Sequence, residues 1–446
     1  MKGSADLIAA LATPPGIGAV AMVRLSGPGL LEALDKILVT RADLRRHPRE
    51  MCLARIKGPE GDRIVDEVLA VYFPEPRSFT GEDCAEIQGH AGPAVPRLVL
   101  EAVLKAGARL AGPGEFTQRA FLNGRLSLDQ AEAVAELVAA QSQSEAVLAA
   151  RQLSGALRDC LDPITARLTS LMAKLTAVLD FEESWEDEDR AGMAQELDRL
   201  LEEVRHLISL RKNGRLFREG LRLVLAGPPN SGKSSLFNAL LGLDRALVSP
   251  RPGTTRDYLE AAVSWSGIRV ELVDTAGLWA DSLDEIDRLG QERTRQQMEG
   301  SDLIVWLMDL TARQPVPPPE TGAPLLIVWT KSDLASPEEL ARAGGRLTVS
   351  SKSAAGLAGF KEECLKMLGL KSQETPDLVP NLRHQQALEK TLVSAEAAAS
   401  ALAEGLPPDI VNLELQEALS HLGLITGRVM TEDLLQEVFS RFCIGK

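Results

Sequence analysis

The sequence is short of aromatic residues and has no long apolar run. Phenylalanine, tryptophan and tyrosine make up 4% of its 446 residues, while hydrophobic residues of all kinds make up 45%. No stretch approaches the roughly 18 apolar residues of a membrane span, and the segment MKGSADLIAALATPPG lacks the basic stretch and cleavage site of a secretory signal. We therefore expect a globular protein that remains in the cytoplasm.

Cysteine and positive charge are also scarce. The five cysteines lie far apart and show neither a CxxC pair nor Cys/His ligand spacing, which argues against a disulfide framework or a zinc site. With 49 basic against 63 acidic residues, the formal net charge is -14. The surface as a whole therefore repels nucleic acid, and any RNA contact must be local or supplied by a partner.

The middle of the chain has the pattern of an α/β domain. The whole chain is long enough for roughly three domains. Between about Leu221 and Leu370, short apolar strands alternate with helical patterns, which predicts a mostly parallel sheet with helices on both faces. Ser266-Gly267 is predicted to turn an antiparallel edge hairpin, and RLTVSS (346–351) to form the last strand.

Helical patterns flank this module. Ala, Leu, Glu and Gln recur at helical period from Ser127, a predicted N-cap, to about Leu210, and again from about Leu382 to Phe442. We predict a helical domain in two halves with the α/β module inserted, after an α+β domain that has one helical stretch near Val95–Leu104. The predicted domains are 1–121, 122–213, 214–376 and 377–446, with linkers near Lys212-Asn213-Gly214 and at Ser372–Pro380.

One short motif indicates phosphate binding. GPPNSGKS (227–234) matches GxxxxGK[ST], follows an apolar strand and precedes a helical pattern, which is the context that the motif requires. Its glycines let successive backbone N–H groups face the phosphates, Lys233 is placed to reach the terminal phosphates, and Ser234 offers a hydroxyl to Mg²⁺. A plain strand-to-helix turn is the weaker interpretation in that context.

Three further elements follow in the order that a GTPase needs. Thr254-Thr255 and the segment DTAG (274–277) predict a nucleotide-dependent switch. TKSD (330–333) resembles the guanine-reading NKxD element, in which Asp333 would accept the N1 and N2 protons that adenine lacks, although Thr330 replaces the usual Asn. Ser350-Ser351-Lys352 either supports the base or is an ordinary loop. The predicted GTP-binding residues are Asn230, Ser231, Gly232, Lys233, Ser234, Ser235, Ser249, Thr254, Thr255, Asp274, Thr275, Ala276, Gly277, Thr330, Lys331, Asp333, Ser350, Ser351 and Lys352.

The group that orients the attacking water is less clear. Leu278 stands where GTPases of the Ras type have Gln, and an apolar side chain cannot orient water. Carboxylates follow in DSLDEIDRLG (281–290), and no basic residue there is an obvious arginine finger. A monovalent cation near the phosphate loop could replace that charge, with Asn230 offering an oxygen, or Asn230 could be merely structural.

The flanking segments resemble the MnmE (TrmE) family over essentially the whole chain. The similar segments are TPPGIGAVAMVRLSG, SFTGEDCAEIQGH, PGEFTQRAFLNGRLSLDQAEAVAELV and the terminal FCIGK. The resemblance implies an α/β P-loop G domain with a mostly parallel sheet, inserted in an all-α helical domain. It also implies an N-terminal α+β domain that is similar to tetrahydrofolate-binding folds and mediates dimerisation.

The same resemblance assigns residues to several roles. It implies folate binding by Arg24, Glu82, Arg125 and Lys446, although Arg125 replaces a frequent Lys and Ile17 a usual Arg. It implies Mg²⁺ binding by Ser234 and Thr255, and K⁺ binding by Asn230, Ser249, Arg251 and Thr254. The implied catalytic residues are Lys233, Asp287 in place of a water-orienting Glu, and Cys443, which could equally be a small apolar residue at a helix end.

The resemblance implies a tRNA modification GTPase. A potassium-stimulated homodimer would act with an FAD-dependent, MnmG-like partner in a heterotetramer. Together they would install a (carboxymethyl)aminomethyl group at C5 of the wobble uridine of certain tRNAs, using a one-carbon unit from 5,10-methylenetetrahydrofolate, of which 5-formyltetrahydrofolate is an analogue. One alternative is a regulatory ribosome-assembly-type GTPase without modification chemistry, which would need a basic appendage that the C-terminal segments do not show. Another is a scaffold with a vestigial folate pocket.

Overall fold

A computed structural model describes residues 6–181, 187–243, 259–275, 298–314, 316–370, 375–440 and 442–446. Contacts divide the chain into two compact units. The first unit comprises Met1–Ala139, Ala149–Ile208 and Pro380–Lys446, and the second comprises Ala140–Leu148 and Ser209–Val379. None of the helices in the described ranges has the length and apolar content to cross a membrane.

The N-terminal part of the first unit is built on a seven-stranded sheet. Its order is β3-β4-β5-β6-β2-β1-β7, and every neighbouring pair is antiparallel except β1 and β7. The strands are β1 (Ile8–Leu11), β2 (Val20–Ser26), β3 (Leu38–Thr40), β4 (Cys52–Lys57), β5 (Ile64–Phe73), β6 (Cys84–His90) and β7 (Arg109–Leu110).

Helices cover this sheet with one apolar face each. α1 (Leu30–Ile37) buries Leu30, Leu34 and Ile37, which recur at helical spacing. α2 (Val95–Lys105) adds its own buried positions to the same apolar core, and the short α3 (Glu115–Leu122) follows. The predicted α+β fold with a helix near Val95–Leu104 is confirmed.

The remainder of the first unit is helical. Ser127 directly precedes α4, as predicted, but its hydroxyl donates to the Gln130 side chain. Arg383 connects helices from both halves of the sequence, because its guanidinium bonds Glu132 on α4 and also the Leu424 carbonyl. The predicted two-part helical domain is thus confirmed. The helices are α4 (Leu128–Ala139), α5 (Gln143–Leu153), α6 (Ala156–Phe181), α7 (Asp187–Glu219), α11 (Leu382–Ala403), α12 (Pro408–Thr426) and α13 (Glu432–Ser440).

The linker prediction at Lys212-Asn213-Gly214 is wrong. α7 continues through these residues to Glu219. A Cβ at Gly214 would lie 2.4 Å from a methyl carbon of Val379, so glycine here allows close packing rather than a turn. The sequence pattern could not distinguish these two uses of glycine.

The second unit contains the predicted mostly parallel sheet. The order is β12-β11-β8-β10-β9, and among the described strands only the edge strand β9 is antiparallel to its neighbour. Ser266 and Gly267 both have positive φ, 50° and 82°, and turn this edge hairpin as predicted. The strands are β8 (Leu221–Ala226), β9 (Leu259–Trp265), β10 (Ile268–Asp274), β11 (Leu303–Asp309) and β12 (Leu325–Thr330).

The prediction that RLTVSS (346–351) forms a strand is wrong. Trp329 and Thr348 form only an isolated parallel bridge. The chain then turns away from the sheet, because the Ser350 N–H bonds the nearby Ala355 carbonyl instead of β12.

Both faces of this sheet are buried. Leu223 and Leu225 of β8 point into one apolar core together with Phe237, whereas Val224 and Ala226 point into a second core. This double burial explains why the strands read as nearly continuous apolar runs. The helices here are α8 (Lys233–Leu243), α9 (Pro337–Arg342) and α10 (Leu357–Met367).

Candidate functional site

The segment 227–234 joins the end of β8 to the start of α8. Gly227 has φ 148°, and a Cβ there would lie 2.6 Å from the Leu307 carbonyl oxygen, so the β11 backbone requires glycine. Gly232 has φ 91° and immediately precedes the first helical residue. The loop therefore presents a helix N-terminus at the carboxyl edge of the sheet, as phosphate binding requires.

Lys233 is almost completely buried beneath this loop. Its Nζ donates to the carbonyl oxygens of Gly227 at 3.0 Å and Pro228 at 2.9 Å. Burial lowers the pKa of the ammonium below its ordinary value, while the Asp274 carboxylate opposes that shift. These two carbonyl contacts hold the ammonium against the loop that would surround a phosphate.

The other loop residues differ in exposure. Asn230 is exposed and has a positive φ of 62°. Ser231 is buried, and its Oγ has no hydrogen-bond partner within the described residues. Ser234 is half-buried in the first turn of α8, and Ser235 is exposed. Asn230 and Ser234 are therefore accessible to a ligand together with the loop backbone, whereas the Ser231 side chain is not.

The neighbouring strand β10 ends in Asp274, which is buried. β10 runs parallel to β8, with Asp274 opposite Leu225. The next residue, Thr275, donates from Oγ1 to the Leu225 carbonyl at 2.9 Å. Asp274 therefore lies at the sheet edge that also carries the phosphate loop, as predicted.

Thr330 connects the end of β12 to the phosphate loop. Its buried Oγ1 donates to the Ser231 carbonyl at 2.7 Å, and the Met308 carbonyl lies 3.3 Å away. A Cβ at Gly232 would lie 3.7 Å from the Thr330 side chain. A threonine hydroxyl has one proton, so the contact with Ser231 uses the side-chain donor of Thr330.

The following residues are also anchored. Lys331 adopts φ 60°, and its Nζ lies 2.6 Å from Oδ2 of Asp309, the last residue of β11. Asp333 is exposed and accepts from the Ser350 hydroxyl at 2.7 Å. Ser351 is half-buried and Lys352 exposed. The structure thus brings the predicted base-reading and phosphate-binding segments together.

Part of the predicted site lies outside the described residues. These residues are Ser249, Arg251, Thr254, Thr255, Ala276, Gly277, Leu278 and Asp287. In the ranges that the structure does describe, no cluster of three or more His, Cys, Asp or Glu side chains is arranged to hold a metal ion. The proposed Mg²⁺ and K⁺ ligands therefore remain predictions.

A second group of predicted residues lies in the first unit. Arg24 on β2 bonds the Glu86 carboxylate at 2.9 Å, and its guanidinium carbon lies 5.4 Å from the ring centre of Phe79 and 5.9 Å from that of Phe116. Its Nη1 also lies 3.5 Å from the Gly445 carbonyl oxygen. Arg24 is thus held between aromatic rings and the C-terminal tail.

Glu82 is part of a largely buried polar network. Its Oε2 accepts from Ser26 at 2.8 Å and from Arg119 at 3.1 Å. Arg119 in turn bonds Glu115 at 3.0 Å, and burial combined with hydrogen bonds from Arg109, Gly112 and Arg119 gives Glu115 a pKa of about 2. Burial alone would raise that pKa, so the hydrogen bonds and positive charges decide its direction.

The C-terminal tail packs against the N-terminal sheet. A Cβ at Gly445 would lie 2.7 Å from the Leu11 carbonyl oxygen, and the Lys446 carbonyl accepts from the Phe116 N–H at 3.1 Å. Cys443 is exposed and carries a free thiol.

Arg125 lies beside the loop that carries Glu82. Its Nε donates to the Ser78 carbonyl at 3.2 Å, and the Ser78 hydroxyl donates to the Glu82 carbonyl. The predicted folate residues are therefore linked in two pairs, each through one intervening residue. Phe116 contacts both Arg24 and Lys446, and Ser78 contacts both Glu82 and Arg125.

Sequence reasoning missed three residues that hold these predicted residues in place. They are Asp309 at the end of β11, and Ser26 and Arg119 around Glu82. Asp309 ends an apolar strand as Asp274 does, but the residues after it lack the glycine of DTAG (274–277), the segment by which Asp274 was identified. Ser26 and Arg119 had no comparable signal, because their partners lie 56 and 37 positions away.

Comparisons with known proteins agree with this architecture. The family model "MnmE helical domain" matches residues 128–443, and "GTP-binding protein TrmE N-terminus" matches residues 7–125. A protein of Carboxydothermus hydrogenoformans named "tRNA modification GTPase MnmE" is 39% identical, with 99% of each chain covered. Proteins of the same name from Thermus thermophilus and Aquifex aeolicus are 41% and 38% identical, covering 99% and 98% of this chain and 99% of theirs. The chain therefore belongs to the MnmE family.

Proposed function

We propose that the protein binds and hydrolyses GTP and that this activity serves tRNA modification. The observation that carries the GTP assignment is the 2.7 Å hydrogen bond from Thr330 to the Ser231 carbonyl. It holds the segment that carries Asp333 beside the phosphate loop, so that one nucleotide could contact both. Family membership supports the modification role, since the relatives carry that activity in their names.

The described residues suit an Mg²⁺-bound triphosphate. Ser234 offers a hydroxyl at the helix N-terminus, and Asp274 offers a buried carboxylate at the adjacent strand end. Oxygen donors of this kind are what Mg²⁺ prefers, so we propose Ser234 together with Thr255 as its protein ligands. When bound, the ion supplies positive charge to the phosphates. Lys233 adds a second positive charge from below the loop, and Asp287 orients the attacking water.

A monovalent cation completes the proposed charge stabilisation. Asn230, Ser249, Arg251 and Thr254 would supply oxygen ligands for K⁺, in place of an arginine finger, when two G domains of a homodimer meet. Asn230 is exposed and lies directly in the phosphate loop, which suits this role.

The first experiment compares GTP turnover in potassium and in sodium at equal ionic strength. We expect clear potassium stimulation of the full-length protein, and loss of that stimulation in Asn230→Ala. Equal rates in the two salts would contradict the K⁺ assignment but leave GTP hydrolysis intact. No turnover in either salt, with Mg²⁺ present, would contradict the proposed GTPase.

A reduced folate is the proposed ligand of the first unit. Glu82 suits pterin N–H groups because both of its side-chain hydrogen bonds end on Oε2, and within the described residues nothing donates to Oε1. Arg24, Arg125 and Lys446 provide positive charge for a carboxylated tail. Titration of the full-length protein with 5-formyltetrahydrofolate tests this site, and Glu82→Gln should weaken binding without changing GTP turnover.

The proposed reaction needs a second protein. An FAD-dependent, MnmG-like partner would form a heterotetramer with the homodimer in the cytoplasm and supply much of the tRNA surface, which suits the net charge of -14. The division into domains 1–121, 122–213, 214–376 and 377–446 belongs to the same proposal, as does a role for Cys443 near the folate.

Reconstitution tests the modification reaction. Transfer of label from methylenetetrahydrofolate to C5 of the wobble uridine should require this protein, the flavoprotein, tRNA and GTP together, with an amine present to supply the nitrogen of the aminomethyl group. GTP turnover without any label transfer would favour the regulatory ribosome-assembly-type GTPase instead.

A further inference from the structure

Asp309 and Lys331 form an ion pair at the carboxyl edge of the second unit's sheet. The last residues of β11 and β12, Asp309 and Thr330, are directly opposite each other, and the Leu310 N–H bonds the Thr330 carbonyl. Lys331 follows at once, and its Nζ lies 2.6 Å from Oδ2 of Asp309. The two strand ends are therefore joined by both backbone and side chain.

Both oxygens of Asp309 are engaged. Oδ2 accepts from Lys331, and Oδ1 accepts from the backbone N–H of Thr311 at 2.9 Å and from its hydroxyl at 2.7 Å. Burial acts to raise the pKa of this carboxyl, but these hydrogen bonds and the Lys331 charge hold it below its ordinary value. The carboxylate is therefore ionised at neutral pH and fixed in orientation.

Lys331 needs such an anchor because its backbone is in an unfavourable conformation. A φ of 60° is uncommon for a residue with a long side chain and is energetically unfavourable unless the surrounding structure holds it. This conformation begins a turn in which the Leu334 N–H bonds the Lys331 carbonyl. Asp333 lies within that turn, so the position of its carboxylate depends on the conformation of Lys331.

We propose that Asp309 is a positioning residue for guanine recognition. It holds Lys331, and through Lys331 the turn that presents Asp333 to the base. The inference rests on the proposed function, because it takes Asp333 as the group that accepts the guanine N1 and N2 protons. Many ion pairs at protein surfaces contribute little, but this pair is mostly buried, with side-chain exposures of 32% and 17%, and is supported by Thr311.

A double-mutant cycle tests the proposal with fluorescent GDP titrated into the full-length protein. Asp309→Ala and Lys331→Ala should each raise the Kd for GDP about tenfold. The Kd of the double variant should be no higher than that of the single variant that binds GDP more weakly. Additive losses in the double variant would overturn the proposal. Asp309→Asn, which retains the shape but loses the charge, should give an intermediate Kd and serves if the alanine variant does not fold.

A specificity readout separates positioning from plain destabilisation. IDP lacks the 2-amino group of GDP, so its Kd relative to that of GDP reports on Asp333. We expect this ratio to shrink several-fold in Asp309→Ala and to stay constant in Glu363→Gln. The control removes a carboxylate from the exposed Lys366 pair on α10, at 3.2 Å. An unchanged ratio in Asp309→Ala would overturn the proposal.

Failure of the proposed function gives a different result. If the unmodified protein binds neither GDP nor GTP, the guanine assignment itself fails. If it binds GDP and discriminates against IDP while Asp309→Ala behaves identically, only the role of Asp309 is overturned.

Discussion

The two proposed ligand sites differ in how far apart their residues lie along the chain. The phosphate loop takes eight consecutive residues, 227–234, between one strand and one helix. The site around Glu82 instead combines β2, the loop before β6 and the C-terminal tail, so that Arg24 contacts Gly445 across 421 positions. The first site depends on local backbone geometry, and the second depends on the docking of a tail.

This difference indicates where each site is sensitive. In the phosphate loop a single side chain, Lys233, provides the charge, and the glycines provide the shape. Around Glu82, the proposed binding is shared among several groups, and a change in the backbone of the tail would disturb the site without touching the proposed ligand contacts.

The largest effect is expected for Lys233→Ala. Loss of the buried ammonium removes positive charge from the phosphate loop, and GTP turnover should fall by about 100-fold or more. Binding of 5-formyltetrahydrofolate should not change. Lys366→Ala, which removes an exposed ammonium from α10, is the matched control and should keep normal turnover. If Lys233→Ala retained most of its GTP turnover, the claim that the phosphate loop depends on this one charged side chain would be wrong.

Gly445→Ala should disturb the scattered site from a distance. Gly445 has φ 96°, and an added Cβ would lie 2.7 Å from the Leu11 carbonyl oxygen, so the tail has to move. We expect folate affinity to fall about tenfold while GTP turnover is unchanged. Gly61→Ala has a comparable φ of 120° and open space around it, and thus controls for backbone strain alone. Equal folate affinities in both variants would contradict tail docking.

Acid should weaken the network around Glu82. The folded-state pKa of Glu115, about 2, lies below its ordinary value of 4.5. Its contribution is therefore fully present above about pH 4.5 and is lost as the pH falls towards 2. Glu115→Gln should lower the free energy of unfolding by roughly 1 kcal/mol at neutral pH and by much less near pH 2.

Urea denaturation at several pH values measures this effect. The exposed Glu67→Gln is the control and should show little difference at any pH. The unmodified protein and Glu115→Gln should differ less in their free energy of unfolding in acid than at neutral pH. A difference that stays the same in acid would show that the charge of the Glu115 carboxylate does not cause the stabilisation.

The smallest effect is expected for Ser231→Ala. The Ser231 hydroxyl is buried without a partner among the described residues, whereas its carbonyl accepts from Thr330 and remains in the variant. Removing the hydroxyl should raise the free energy of unfolding by up to about 1 kcal/mol and leave GTP affinity unchanged. Thermal unfolding with and without GDP measures both. A loss of affinity would show that the side chain, and not only the backbone, contributes to the loop.

Much of the fold could be predicted from patterns that repeat over short distances. The parallel sheet, the Ser266-Gly267 hairpin and the two-part helical domain follow from apolar periodicity and turn residues. The predictions failed at Gly214, which was expected in a linker but lies in a helix, and at RLTVSS, which was expected to be a strand. A glycine or a short apolar run is compatible with more than one local structure. At Gly214 a contact with Val379, which is distant in sequence, decided the outcome, and at RLTVSS the bond from the Ser350 N–H to the Ala355 carbonyl ended the pairing with β12.

The sequence by itself determined the family, the phosphate loop and the order of the elements, because each is written in neighbouring residues whose local geometry is restricted. Only the tertiary structure decided that Thr330 bonds the phosphate loop, that Asp309 holds Lys331, and that the tail reaches Arg24. Each of these is a hydrogen bond between polar groups far apart along the chain. Such pairs leave no periodic pattern in the sequence, since their distance is set by the packing of the strands and helices that carry them.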